Sequence, residues 1–252
     1  MNGKKLQGRT ALITGASKGL GKAMALALAE AGARLILVSR NLGLLHATAA
    51  AVRQVGADAA VIQADVTDEQ QVARVAQGVQ EQFGKLQILI NNAGINLRKP
   101  VTDFTLEEWR KVMDTSLTSS FLMCRAFVPM MKGQGYGRIL NLTSTMSHVS
   151  IPGRTAYSSC KTALLGFTRA LALELAPEQI TVNGISPGPF ATELNAVLLN
   201  DPEQNKLFLS RIPLGRWGRP EEVGQLAVYL CSDAAGFITG TDVLIDGGWT
   251  AQ

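Results

Sequence analysis

Charge is scarce in this chain of 252 residues: Asp, Glu, Lys and Arg together make up 17% of it, below the roughly one quarter usual for a globular domain. No run of lysines and arginines stands anywhere. The net charge of +4 and the pI of about 9.1 are therefore spread thin, and a nucleic-acid partner is not expected. An anionic small molecule suits so mild a basic excess better. Cysteine is down to Cys124, Cys160 and Cys231. Far apart and odd in number, they offer no metal site and point to a reducing compartment. The only histidines, His46 and His148, cannot assemble a metal site alone, so no metal is expected. No uninterrupted apolar run approaches the ~18 residues of a membrane span. Residues 1–8 carry no hydrophobic region of signal type. The expectation is a cytoplasmic protein without a membrane partner.

Apolar residues and glycine are plentiful, at 46% and 25 residues, and their order is regular. Short apolar β runs at 9–14, 35–39, 59–63, 86–90, 137–142, 180–185 and 242–245 alternate with helical patterns. The helices are predicted at 22–30, 44–55, 69–83, 105–131, 156–175 and 221–231. Gly32, Gly56 and Gly84 close three of them. Thr105 caps the longest, with Glu107 and Glu108 in its first turn. The strands are apolar on both faces, as in a parallel sheet covered by helices. This predicts one α/β domain over 1–252, a doubly wound, Rossmann-type parallel sheet of about seven strands with helices on both faces. One stretch, 189–215, breaks the pattern and carries Pro189, Pro202 and Pro213. An insertion at the carboxyl edge of such a sheet serves as a substrate lid.

The first strand runs straight into Gly15-Ala16-Ser17-Lys18-Gly19-Leu20-Gly21. Glycines allow a tight turn and close backbone approach to an anion. The helix that follows offers free N–H groups and the positive end of its dipole. A pyrophosphate is the guest such a loop fits. The second strand ends at Ser39-Arg40, where an acidic residue would bond the ribose 2′-hydroxyl of NAD. Ser39 is not acidic, and Arg40 can grip a 2′-phosphate with several donors. Lys18 adds a second positive charge. NADP(H) is therefore predicted over NAD(H).

Tyr157 and Lys161 stand four residues apart, one turn of a helix on the same face. An ammonium beside a phenol favours the phenolate, which suits Tyr157 to act as general acid on a carbonyl or base on an alcohol. Cys160, between them in sequence, points elsewhere and is expected to pack.

These pieces fall in a familiar order: Thr14-Gly15, Gly19 and Gly21, Asn91-Asn92-Ala93-Gly94, Ser144, Tyr157 with Lys161, and Pro187-Gly188. Over about residues 6–249 the chain resembles the short-chain dehydrogenases/reductases of the small single-domain branch. The resemblance implies that Tyr157 is the acid/base and that Lys161 lowers its pKa and holds the nicotinamide ribose. It implies that Ser144 bonds the substrate oxygen. Asp65 and Val66 become adenine contacts. Asn91, Asn92, Ala93 and Gly94 run along the cofactor, and Pro187, Gly188 and Thr192 hold the nicotinamide carboxamide. One position departs: Ser116 stands where the family carries an asparagine that bends the long helix and anchors a water behind the lysine. Replacing Ser116 by asparagine is expected to preserve or raise turnover. A second reading, a cofactor-binding scaffold with weakened catalysis, rests on Ser116 alone.

Substrate contacts are expected from Ile95, Met146, His148, Arg154, Phe190 and Leu194, with Leu198 on the lid. Residues 94–100 and 210–218 resemble gluconate 5-dehydrogenase and 2-deoxygluconate 3-dehydrogenase sequences. A sugar acid would find carboxylate partners in Arg98, Arg154 or Arg211. Ketone reductases share the same motifs, so the expected substrate is a small carbonyl or alcohol, with an NAD(H)-dependent sugar-acid dehydrogenase as the alternative. The resemblance also implies a homotetramer built on the helices at 105–131 and 156–175 and on the C-terminal 243–249.

Overall fold

A computed structural model describes residues 4–252, apart from the side chains of residues 194, 197, 198 and 204. Among the described residues seven strands form one sheet: β1 (Thr10–Thr14), β2 (Arg34–Ser39), β3 (Ala59–Gln63), β4 (Ile88–Asn91), β5 (Gly137–Leu142), β6 (Ile180–Pro187) and β7 (Asp242–Ile245). Every pairing is parallel, in the order β3-β2-β1-β4-β5-β6-β7. The strand order reverses between β1 and β4. In such sheets ligands bind at the carboxyl ends of the strands beside that reversal.

The helices are α1 (Gly19–Glu30), α2 (Leu42–Gln54), α3 (Glu69–Phe83), α4 (Leu106–Met113), α5 (Ser119–Met131), α6 (Thr155–Leu175), α7 (Ala196–Leu199), α8 (Pro202–Leu209) and α9 (Pro220–Cys231). Alternation along the strands feeds two cores, one on each face of the sheet. Ile13, Leu35 and Leu37 pack with Met24, Leu28 and Val223 on one side. Leu12, Ile36 and Val38 pack with Val79, Phe127 and Leu175 on the other. Each such side chain gains roughly 1.5–3 kcal/mol from burial, and the asparagines buried on β4 and β5 are paired, Asn91 Nδ2 donating to Asn141 Oδ1 at 2.8 Å.

The long helix expected from Thr105 to about 131 is interrupted at the Ser116 position, where the family resemblance implied a bend. Thr105 does cap α4: its hydroxyl accepts the Glu108 N–H at 3.1 Å, and Glu108 reaches back to the Thr105 N–H at 2.9 Å. Between α4 and α5, however, Asp114–Thr118 winds as a π-helical turn. Hydroxyls feed this irregularity: Thr115 Oγ1 donates to the Lys111 carbonyl and Ser119 Oγ to the Thr115 carbonyl, both at 2.7 Å. α1 begins at Gly19, earlier than the 22 read from the sequence, so two glycines of the loop lie in its first turn. α2 begins at Leu42 because Asn41 caps it, its Oδ1 accepting the Leu44 N–H at 3.0 Å.

The stretch 189–215 is not irregular throughout; it carries α7 and α8. It leaves and returns at one place, where Phe190 pairs with Gly218 as a parallel bridge. A Cβ on Gly218 would meet the Phe190 ring at 2.5 Å, so only glycine lets the two arms close.

Candidate active site

A cleft of about 760 Å³ opens at the strand reversal. Its lining begins with Gly15, Ser17, Lys18, Gly19, Leu20 and Gly21. Gly15 and Gly19 take left-handed backbone, with φ of 64° and 54°. Gly21 needs its missing side chain for space: a Cβ there would lie 2.3 Å from the Gly15 carbonyl oxygen. The N-terminus of α1 has no side-chain cap, because Lys18 makes no capping bond. Free N–H groups, a glycine cradle and the positive helix end therefore face the cleft together, and this fits a dinucleotide pyrophosphate. The loop is tied to β4 by Asn92, whose Nδ2 donates to the carbonyls of Thr14 at 2.9 Å and Gly15 at 3.1 Å. Thr14 Oγ1 in turn accepts the N–H groups of Asn92 at 3.0 Å and Ala93 at 3.1 Å.

Ser39, Arg40, Asp65 and Val66 line one end of the cleft. Arg40 Nη1 lies 3.5 Å from Asp65 Oδ2, and its side chain is 63% exposed. Burial works against ionisation of Asp65, but the N–H and hydroxyl of Thr67, followed by Arg40, outweigh it and hold the carboxyl below its ordinary pKa. An ionised Asp65 beside a largely exposed guanidinium leaves the remaining Arg40 donors open to a phosphate.

Ser144, Tyr157 and Lys161 all line the cleft, as do Ala93, Gly94, Pro187, Gly188 and Thr192. Ser144 follows β5 and opens a short turn; its Oγ accepts the Met146 N–H at 3.1 Å. With that lone pair used, its proton is free to donate into the cleft. α6 carries Tyr157 and Lys161. Lys161 is buried, its Nζ donates to the Leu142 carbonyl and stands 5.8 Å from the centre of the Tyr157 ring. Cys160 is buried with Val112 and Ala156, away from the cleft. Thr192 caps nothing with its side chain, so its hydroxyl is available.

Ser116 is buried behind this group and does not line the cleft. Its Oγ accepts the Ile95 N–H at a long 3.4 Å. The space beside Gly94 where a Cβ would stand lies 3.5 Å from both Ser116 Oγ and Lys161 Nζ. The serine thus shares one small gap with the ammonium.

The cleft is also lined by Ile95, Arg98, Met146, Arg154 and Phe190, as expected, and by Asn96 and Leu97. Arg154 is only 8% exposed, and its Nη1 is buried without a hydrogen-bond partner. Burial, and then the neighbouring charge of Arg98, push its pKa down to about 10, with Tyr157 acting the other way. Desolvation also lowers Arg98, which donates to Asn195 Oδ1 at 3.1 Å. Neither arginine is paired with a carboxylate among the described residues. Asn96 Oδ1, which belongs to the same lining, is likewise buried without a hydrogen-bond partner among the described residues.

Two expectations fail here. His148 does not line the cleft: its Nε2 lies 2.6 Å from Asp242 Oδ2, which turns the ring towards β7. Arg211 is exposed and also outside it. The side chains of Leu194 and Leu198 lie outside the described residues. Conversely, Phe208 and Trp249 line the cleft unannounced, their rings stacked at 5.5 Å. Trp249 arrives from the C-terminal segment and Phe208 from α8, and a lone aromatic in each was the only sign.

Comparison with known proteins places this geometry. The family profile described as Enoyl-(Acyl carrier protein) reductase matches residues 15–250. Gluconate 5-dehydrogenase of Gluconobacter oxydans is 36% identical over 98% of this chain and 96% of its own length. A 3-oxoacyl-acyl-carrier-protein reductase of Aquifex aeolicus is 35% identical over 97% and 98%. A solved structure from Beutenbergia cavernae that holds NADP at low occupancy superposes with a TM-score of 0.94, at 36% identity and with 100% of both chains covered. A seven-stranded parallel sheet with a glycine cradle at its reversal, matched end to end by such oxidoreductases, leaves one assignment: the chain belongs to the short-chain dehydrogenase/reductase family.

Proposed function

We propose that the protein is an NADP(H)-dependent oxidoreductase that interconverts a ketone and its secondary alcohol, with Tyr157 as general acid/base. The observation that carries this is the convergence of Ser144, Tyr157 and Lys161 on the cleft that the glycine cradle opens. When bound, the nicotinamide supplies or takes the hydride at the carbonyl carbon. The Tyr157 hydroxyl gives its proton to the substrate oxygen during reduction and takes it back during oxidation. Lys161, anchored on the Leu142 carbonyl, keeps a positive charge beside the phenol. Ser144 donates its free proton to the same oxygen and stabilises the charge that develops there. Arg40 selects the 2′-phosphate, and Pro187, Gly188 and Thr192 face the carboxamide.

The buried, unpaired Arg154 favours substrates that bring a carboxylate. Removing a guanidinium from water without a counter-charge is unfavourable, and a substrate carboxylate would repay that cost. Asn96 Oδ1 offers an acceptor to a substrate hydroxyl. A hydroxy acid of the sugar-acid type fits both groups, with residues 189–215 closing over it. Exposed apolar groups on α5 and α6, Phe121 and Leu173, and near the C-terminus, Phe237 and Leu244, support a homotetramer.

A panel of ketones and hydroxy acids, run in parallel with NADPH and NADH, tests the reading through absorbance of the reduced cofactor. Turnover of carboxylate-bearing substrates with a preference for NADPH is the expected result. Tight NADPH binding without turnover of any substrate would replace the enzyme by a cofactor-binding scaffold.

A further inference from the structure

Beside the cleft, which Thr143 itself lines, lies a polar cluster that the proposed chemistry does not use. Asp242, at the start of β7, directs its carboxylate under β6 and β5. Its Oδ1 accepts from Thr143 Oγ1 at 2.6 Å, and its Oδ2 accepts from Ser186 Oγ at 2.5 Å. His148 Nε2 lies 2.6 Å from the same Oδ2, and Thr143 Oγ1 and Ser186 Oγ are 2.9 Å apart. Thr143 and Ser186 are buried, and the Asp242 side chain is 9% exposed against 33% for His148. The site is built for this carboxylate: a Cβ on Gly184 would come within 2.0 Å of Asp242 Oδ1. A solvated strand-end aspartate would need no such space.

Each partner adjoins a group that faces the cleft. Thr143 precedes Ser144. His148 ends the turn that Ser144 begins, where the Ser147 N–H donates to the Ser144 carbonyl at 2.8 Å and the His148 N–H to the Thr145 carbonyl at 3.0 Å. Ser186 precedes Pro187 and Gly188. We infer that Asp242 is a positioning residue that sets Ser144 and the Pro187-Gly188 segment together, with His148 as the strut that carries the Ser144 turn to it. The charged acceptor draws in Ser186 Oγ, His148 Nε2 and Thr143 Oγ1, whose one proton is shared with the Ile185 carbonyl at 2.7 Å, and this fixes the direction of both strand ends. Because His148 acts through Asp242, removing it after Asp242 has gone changes nothing further.

This rests on the reading of Ser144 as donor to the substrate oxygen. The test compares His148→Ala, His148→Gln, Asp242→Ala and the double alanine variant by kcat, KM, NADPH titration and melting temperature. His148→Ala is expected to lower kcat about fivefold to tenfold, a fraction of the loss on removing an oxyanion donor outright, with KM and NADPH affinity unchanged. His148→Gln, which can place an amide N–H near the same oxygen, restores most of it. Asp242→Ala lowers kcat at least as far and also weakens NADPH binding. The double variant matches Asp242→Ala, since coupled residues do not add. Additive losses, an unchanged kcat in His148→Ala, or losses that follow the melting temperature would overturn the inference. If Asp242→Ala does not fold, Asp242→Asn carries the same expectation, because an amide accepts on one atom where the carboxylate accepts on two. If no substrate turns over, the enzyme reading fails separately, and NADPH affinity unchanged by the Asp242 variants still overturns the device.

Discussion

Replacing Arg40 by glutamine removes the one cation that the proposed 2′-phosphate site presents at the end of β2. A hydrogen bond to a charged group nets about 1.5–3 kcal/mol. Arg40 is 63% exposed, so screening places its contribution at the lower end of that range. Its contact with Asp65, 3.5 Å long and partly exposed on both sides, is an ion pair of about 0.5 kcal/mol. That is too weak to hold the guanidinium away from a phosphate. The net loss on substitution is then about 1.5–2 kcal/mol, a factor of about ten to thirty in affinity. The assay is kcat/KM for NADPH and for NADH, in wild type and Arg40→Gln, at two salt concentrations. NADPH efficiency should fall by that factor while NADH stays within about twofold, and the gap should narrow at high salt. Equal loss with both cofactors would mean that Arg40 serves only to orient Asp65. An unchanged NADPH efficiency, or a wild type that favours NADH, would refute the cofactor assignment outright.

Arg154→Met keeps an unbranched apolar stem and removes the charged end; KM for carboxylate substrates should rise about tenfold to hundredfold, while their methyl esters are unaffected, and a parallel rise for both would contradict the carboxylate role. Glu222 is held at a pKa of about 2 by hydrogen bonds from Arg216, at 2.7 Å and 3.0 Å, and from the Arg219 N–H, against a small opposing effect of burial. A depressed carboxyl contributes stability above its ordinary pKa of 4.5 and loses it as pH falls towards about 2. Glu222→Gln should therefore melt lower at neutral pH, with the difference closing between pH 4.5 and 2; a constant difference would mean that the charge plays no part. Ser116→Asn can extend into the space beside Gly94 and should fold normally with turnover preserved or raised, so lost turnover at an unchanged melting temperature would refute it.

The sheet was legible because its inner strands are apolar on both faces and each is followed by a helical pattern or a glycine stop. β3, β5 and β7 begin and end where their hydrophobic runs do. The cradle was legible for a different reason: glycine at 15, 19 and 21 reports backbone geometry directly, and Tyr157 with Lys161 reports a helix face. What escaped depended on contacts far apart in sequence. Nothing local to His148 tells that Asp242, 94 residues on, captures its ring. Nothing local to Trp249 shows that Phe208 meets it over the cleft. The π-helical turn was hidden because hydrophobic spacing continues on both sides of it, while the hydroxyls of Thr115 and Ser119 bond back to carbonyls that periodicity does not see.

That turn also sets where the chain between α4 and α5 can lose a residue. A π turn holds one residue more than the α-helical turn it replaces, while both wind through nearly the same angle. Deleting one residue from Asp114–Thr118 would therefore leave a regular helix whose second half keeps its phase. Val112 would stay against Ala156 and Cys160, and Leu122, Phe127 and Met131 would stay over the sheet they now cover. Inside α4 or α5 the same deletion would rotate everything after it by about 100°, so a deletion at 114–118 should cost the fold far less than one a turn away on either side.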